Sequence, residues 1–286
     1  MIRLRAAAAC FAWAALAAPA FAGSARITPE MDHVAAQETM DRCVYGDTVW
    51  VAPGKYMQLT VRNGIRLISE AGPAETLFRH GQNHVFNVSE VDSTTLVQGF
   101  TLDGVKASEG VLVVEKSKAR IRDCVIKNGW SGVRGIFSEF TLEDCTITDC
   151  QNGVYLYESA AVVSGNQIQR CINGITLVNA SPRVLRNTIS GNSLGISVAE
   201  HSDPQIGGSL AAANRIFGNA GGAIKNDGLA KRGALRTMTP LELHAPYNYW
   251  GTECPDSTYF RGDVDFKPWV DETGTRSLAT CPAAPE

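Results

Sequence analysis

The chain has 286 residues, with 26 Lys or Arg against 29 Asp or Glu, so its formal charge is −3. No basic stripe or run of like charge offers a footprint for a phosphate-rich polymer, which excludes a nucleic-acid binder. With 44% hydrophobic residues and no low-complexity linker, one domain around one continuous core is the simplest organisation.

Residues 1–22 have the pattern of a secretory leader. Arg3 and Arg5 precede an apolar run from Ala6 to Phe21, and Ala20-Phe21-Ala22 supplies a small-x-small cleavage pattern. The mature chain is therefore expected to begin at Gly23 and to be periplasmic or secreted. Ala7 stands where a lipoprotein signal needs Leu, so Cys10 is not read as a lipid anchor. No other stretch approaches the roughly 18 apolar residues that span a bilayer. Of the 8 cysteines, Cys10 leaves with the leader and an odd number remains. Cys254 and Cys281 are expected to close the tail, and Cys124, Cys145, Cys150 and Cys171 to stay as buried thiols, because side chains stacked in parallel do not suit a disulfide.

Residues 23–45 read as an N-terminal cap, with a helix over 28–45. Thr28 before Pro29 gives an N-cap with proline at the first helical position, and Met31, Val34, Ala35 and Met40 give an apolar stripe.

Residues 46–251 carry a repeat of 21 residues. Gly132, Gly153, Gly174 and Gly195 keep that spacing, and four more columns keep step: Cys124, Cys145, Asn166, Asn187; Ile126, Ile147, Ile168, Ile189; Leu142, Val163, Val184; and Val133, Val154, Ile175, Ile196. A unit this small cannot bury its own apolar face, so the repeat implies a solenoid. Apolar residues alternate at period two, as in Val154-Tyr155-Leu156, so each repeat holds about three short strands rather than a helix. Glycine is expected to supply the backbone angles of the bends. Stacked Asn amides are expected to satisfy one another in a ladder inside the turn. Asn214, Ile216 and Asn219 repeat Asn187, Ile189 and Asn192 after 27 residues, which places an insertion of six within 199–213.

A leucine-rich repeat is the rival solenoid. Phe137-x-x-Phe140-x-Leu142-x-x-Cys145-x-Ile147 fits its frame, but Glu158, Ala161, Asn179 and Pro182 break it in the next coils. The ends decide otherwise. Gly46-Asp47-Thr48-Val49-Trp50-Val51-Ala52-Pro53-Gly54-Lys55-Tyr56 resembles the first coil of right-handed parallel β-helix proteins of the pectin-lyase-like superfamily. Asn248-Tyr249-Trp250-Gly251 with Gly262-Asp263-Val264-Asp265-Phe266-Lys267-Pro268-Trp269 resembles their closing coil. The resemblance spans residues 46–269 and implies an all-β parallel helix of roughly eight or nine coils, about 4.8 Å apart. Residues 252–286 read as a C-terminal cap whose Tyr259, Phe260, Phe266 and Trp269, with Trp250 just before it, seal the last coil, the competing reading being that these rings line a sugar site.

The strand that begins at each column glycine presents two outward rows. One reads Leu112, Arg134, Tyr155, Thr176, Ser197 and Lys225; the other reads Val114, Ile136, Tyr157, Val178 and Ala199. Glu158, Asn179 and Glu200 stack one position further on, followed by His201 and Asp203. Arg134, Tyr155, Tyr157, Glu158, Glu200 and His201 form the candidate catalytic groove. Arg suits a uronate carboxylate, Tyr or His exchanges protons, and Glu158 with Glu200, about 10 Å apart by strand spacing, stands near the upper limit for an inverting glycosidase pair. An ordinary solvated face is the competing reading.

The resemblance implies polysaccharide as partner and lyase or glycoside-hydrolase chemistry. Against it, the polygalacturonase and alginate-epimerase signatures and the acidic calcium site of pectate lyases are missing. That absence favours the alternative of a non-catalytic structural or accessory envelope protein. The superfamily also contains an exported accessory protein of copper-enzyme maturation. Here, however, no cofactor motif or metal cluster is read, and His80-x-x-x-His84 is taken as a pair of solvated loop histidines.

Overall fold

The computed structural model describes residues 23–232 and 237–281, and the leader of residues 1–22 lies outside them. The chain is a right-handed parallel β-helix whose three main sheets hold nine, ten and eight strands, and within residues 46–251 each carries eight parallel strands, in keeping with the eight or nine coils anticipated. Each full coil contributes one strand to each of three sheets. In one coil these are Thr141–Glu143 in the first sheet, Thr146–Thr148 in the second and Asn152–Tyr157 in the third, before Val162–Ser164 returns to the first.

Successive coils pair residue for residue at the repeat of 21, as in Val133↔Val154↔Ile175↔Ile196 and Ile126↔Ile147↔Ile168↔Ile189. These columns are inward and fully buried, so the core is a stack of aliphatic rows. In the early coils Phe78 packs edge-on against Phe86 and Phe100 and stacks on Tyr56.

The corners follow one rule. A left-handed residue turns the chain, and the next residue points inward to satisfy backbone. Asp123, Asp144, Gly165 and Arg186 turn the first corner and precede Cys124, Cys145, Asn166 and Asn187. Asn166 Oδ1 accepts from Cys145 N at 2.9 Å, Asn187 Oδ1 from Asn166 N at 3.0 Å, and Asn214 Oδ1 from Asn187 N at 2.9 Å; Asn248 adds a fourth amide. The amide nitrogens of Asn166, Asn187 and Asn214 also donate along the ladder and to a carbonyl of the preceding coil. Asn192 and Asn219 repeat the device at the second corner, and Ser138, Ser159 and Ser202 do so at the third.

The glycine column has a different cause from the one anticipated, because Gly132, Gly153, Gly174 and Gly195 do not have positive φ. They are sites of close approach. A Cβ on Gly153 would lie 2.6 Å from both the Gly174 carbonyl oxygen and Ile168 Cγ2, inside any tolerable contact.

Both ends are covered, as an open strand edge requires. The N-terminal helix is shorter than expected, His33–Arg42, and its N-cap is Asp32, whose carboxylate accepts from Ala35 N at 2.8 Å. Thr28 instead ends the strand Ser24–Ile27, which pairs with Thr48–Val51 and opens the first sheet. Gln37 of the helix uses its amide to bond both the N–H and the C=O of Thr60, on the edge strand of the third sheet. At the far end Trp250 and Trp269 are buried, and Phe260 stacks on Phe266 and meets Trp250 edge-on. Cys254 and Cys281 form a disulfide, whereas Cys124, Cys145, Cys150 and Cys171 are buried free thiols. Among the described residues no helix is long and apolar enough to cross a membrane.

The insertion is divided between two corners. Gln205 follows its partner Arg183 by 22 residues, and Arg215 follows Thr188 by 27. Against a period of 21, one extra residue lies at the corner holding His201. The other five lie between Gly207 and Asn214, at the next corner.

Asn187→Leu should destabilise the protein by about 1–3 kcal/mol, because it strands the Asn166 amide and the Val163 carbonyl without partners. Urea denaturation of both proteins checks this, and a change below about 0.5 kcal/mol, typical of a surface substitution, would contradict the ladder.

Candidate functional site

Where the third sheet turns into the first, the left-handed corner residues are Phe137 (φ 51°), Glu158 (φ 46°), Asn179 (φ 51°) and Glu200 (φ 57°). Non-glycine residues avoid this conformation by roughly 1–2 kcal/mol, and the serine ladder beneath helps to hold it. Ser138 and Ser159 donate inward to carbonyls and accept from the backbone of the previous coil. The corner side chains therefore project outward in one row along the helix axis. They line an open groove of about 730 Å³ with Glu139, Ser181 and His201.

His201 is the single residue added at this corner. Its backbone N–H donates to Asn179 Oδ1 at 3.3 Å, and Ser202 takes the inward serine position below it. His201 Nδ1 lies 2.7 Å from the Leu229 carbonyl oxygen. A carbonyl only accepts, so Nδ1 carries a proton and donates, and Nε2 is left facing away from this bond.

Of the six anticipated site residues, the structure gathers Glu158, Glu200 and His201 in this groove. Tyr157 stands at its edge, with its ring 5.6 Å from Phe137 in a T-shaped contact. Arg134 and Tyr155 are one row away on the sheet face, where they are cross-strand partners. That row also needs a correction: Val113, not Leu112, pairs with Arg134, and Leu112 and Val114 are fully buried. The five-residue part of the insertion does not border the groove, because it occupies the corner between the first and second sheets. Hydrogen bonding to the Glu158 carboxylate, and then its charge, raises the Tyr157 phenol above its ordinary value. Tyr157 therefore stays protonated and is better suited to donate a proton than to remove one.

Phe137 was absent from the anticipated set, although it sits 21 residues before Glu158. Two other features were also missed. The corner between the second and third sheets holds a cavity of about 740 Å³ lined by exposed Val105, Trp130 and Ile172 with Arg79, Asp103 and Asn128. Near the C-terminal cap, Glu242, His244 and Asp265 bring one ligand atom each to within 4.8 Å of the others. His84 differs from the solvated loop residue expected: it is half-buried, its Nδ1 has no hydrogen-bond partner among the described residues, and burial holds its pKa below the ordinary value.

Glu158→Gln should lower the Tyr157 pKa toward that of an ordinary phenol, since the raising carboxylate is removed. A pH titration of the tyrosine Cζ resonances by NMR should show one phenol moving down, and an unchanged set would contradict the contact.

Comparison with solved structures finds other parallel β-helix proteins. The A-module of a mannuronan C-5 epimerase from Azotobacter vinelandii is 16% identical over 82% of this chain and 91% of its own, with a TM-score of 0.42. A pectate lyase is 8% identical over 88% of this chain and 79% of its own, at 0.47. An alginate lyase from Paenibacillus sp. is 12% identical over 85% and 99%, at 0.45. Such likeness says nothing of this chain's activity. Comparison with curated proteins finds no match. Residues 41–220 match the family described as periplasmic copper-binding protein (NosD), a span that takes in most of the coils, and the chain belongs to the NosD family.

Proposed function

We propose that the protein is exported and contacts polysaccharide along the groove of Phe137, Glu158, Asn179, Glu200 and His201. The observation that carries this reading is the row itself: corner side chains repeat along one axis, about 4.8 Å per coil, as an extended polymer requires. The aromatic edge of Phe137 and Tyr157 suits the apolar face of a sugar ring, and the carboxylates and amide suit its hydroxyls.

Charge narrows the substrate. Glu139, Glu158 and Glu200 line the groove, and Arg134 lies outside it. A uronate polymer would meet like charge there, so neutral or amino-sugar glycans fit better than the acidic glycans first considered. If the groove is catalytic, Glu158 and Glu200 are the carboxylate pair for hydrolysis, with His201 Nε2 beside them.

Export is supported by the leader pattern and by a contact at its boundary. Gly23 N lies 2.6 Å from Asp47 Oδ1, so cleavage before Gly23 would place a new ammonium group on a carboxylate and strengthen that bond.

A second reading follows from the family description, which names copper. The buried thiols do not fit an accessible copper site: Cys124, Cys145, Cys150 and Cys171 point inside the coil with Sγ 3.2–3.4 Å from backbone carbonyl oxygens. Glu242, His244 and Asp265 fit a divalent copper ion by donor type, as one imidazole and two carboxylates.

The test is incubation of the mature protein with neutral, amino-sugar and uronate glycans, following binding, reducing ends and unsaturated products together. Binding of neutral or amino-sugar chains should be lost in Phe137→Ala and retained in Arg186→Ala, which lies at a different corner. Reducing ends that disappear in Glu158→Gln would add hydrolysis. Binding confined to uronates, or lost equally in both alanine variants, would contradict the assignment.

A further inference from the structure

The edge of the third sheet opposite the groove carries the cavity of about 740 Å³. Two rows of side chains meet there at the repeat of 21. Asn128 (φ 63°), Asp149 (φ 57°) and Arg170 (φ 53°) are the left-handed residues of that corner. Trp130, Gln151 and Ile172 stand two positions further on, stacked coil on coil: Asn152 N donates to the Trp130 carbonyl and Asn173 N to the Gln151 carbonyl, both at 2.8 Å. One coil earlier the corner is irregular. Four steps separate Asp103 from Ala107, where two separate their partners Lys127 and Gly129, and Val105 within this bulge has φ 43°. A β-branched residue avoids that conformation. Its effect here is to leave Val105 42% exposed on the same cavity wall as Trp130, at 51%, and Ile172, at 53%.

The polar part of this wall is charge-balanced. Asp103, only 5% exposed, lies 3.3 Å from Arg79 Nη2 and accepts from Asn128 Nδ2 at 2.8 Å. Asp149 accepts a bidentate pair of bonds from Arg170, each 2.9 Å long. Each carboxylate therefore has its own guanidinium, and a charged ligand gains nothing from the wall. The remaining lone pairs of Asp149 and the amides of Asn128 and Gln151 can still bond hydroxyls. A half-exposed indole with aliphatic neighbours, beside planar polar groups of no net charge, matches a ring that is apolar on one face and hydroxylated at its edge. The volume is that of an ordinary ligand pocket, about 300–1,000 Å³. We propose that the cavity binds a pyranose ring of an uncharged saccharide, stacked on Trp130, with its hydroxyls on Asn128, Asp149 and Gln151. This site is separate from the groove. Trp130 and Phe137 flank opposite ends of the strand Ser131–Ile136, roughly 20 Å apart at about 3.3 Å per residue, so the two sites stand or fall independently.

The experiment titrates the full mature protein with cellotriose, maltotriose and mannotriose, chains too short to span both sites. NMR follows the indole Nε1–H resonances of Trp50, Trp130, Trp250 and Trp269. The Trp130 resonance should move with at least one of these sugars while the other three stay. Sorbitol, which has hydroxyls but no ring face, and trigalacturonate, which is charged, should leave it in place. Calorimetry in a Phe137→Ala background, where the groove is disabled, should still detect the binding. Adding Trp130→Ala should weaken it about tenfold, and Trp130→Phe, which keeps a ring, by much less. Circular dichroism should show an unchanged fold in each variant, as expected at exposed positions. The proposal is overturned if no neutral trisaccharide moves the Trp130 resonance, if sorbitol or trigalacturonate moves it as far, or if Trp130→Ala binds as its parent does. Loss of the Trp130 shift in Phe137→Ala would leave a single groove and also overturns it. So does a dimer of the mature protein that Trp130→Ala dissociates, since the patch would then belong to a second copy.

Discussion

The structure depends on how backbone amides are satisfied at the corners of the coil. Along the strands, neighbouring coils supply hydrogen bonds in register. At a corner the chain turns away and the next N–H points into the core, where a stranded donor costs about 1–3 kcal/mol. The amide of Asn166, Asn187 or Asn214 answers this, with its oxygen taking the N–H of the coil before it. Each coil is thereby tied to the next through a side chain of fixed length. The spacing is 21 from Cys145 through Asn187, and the insertion near Gly207 is expelled outward because Asn214 resumes the ladder behind it.

That constraint also shapes the surface. A corner needs a left-handed residue, and its side chain then has nowhere to go but outward. Phe137, Glu158, Asn179 and Glu200 thus form a row without any direct contact among the four being required. The single residue added at His201 keeps Ser202 at the inward position and leaves an imidazole in the groove. The frame fixes where chemistry is presented, while the identity of the corner residues, free to vary, decides what that chemistry is.

The solenoid was legible because its columns are local and repeated. Ile126, Ile147, Ile168 and Ile189 announce themselves by spacing, and so does the Asn column. The strand Ser24–Ile27 was missed because four residues outside the repeat carry no period, and the helix start was misplaced because Thr28-Pro29 imitates a cap that Asp32 provides. The glycine column was seen but its cause was not, since close approach between coils exists only in three dimensions. Half of the candidate groove was legible: Glu158 and Glu200 follow the period and His201 stands next to Glu200 in sequence, but Arg134 and Tyr155 belong to the sheet beside it, and only the corner geometry distinguishes the two rows. Glu242, His244 and Asp265 could not be found by period, because cross-strand register in the closing coil brings them together.

Native-state hydrogen exchange at the backbone amides of Cys145, Asn166 and Asn187 tests the corner account most directly, because each donates to a ladder oxygen rather than to a strand. The account predicts that these three exchange only through global unfolding, as slowly as the amides of the central strands. Exchange at the rate of exposed loop amides would show that the ladder does not hold the corners and that another interaction sets the coil.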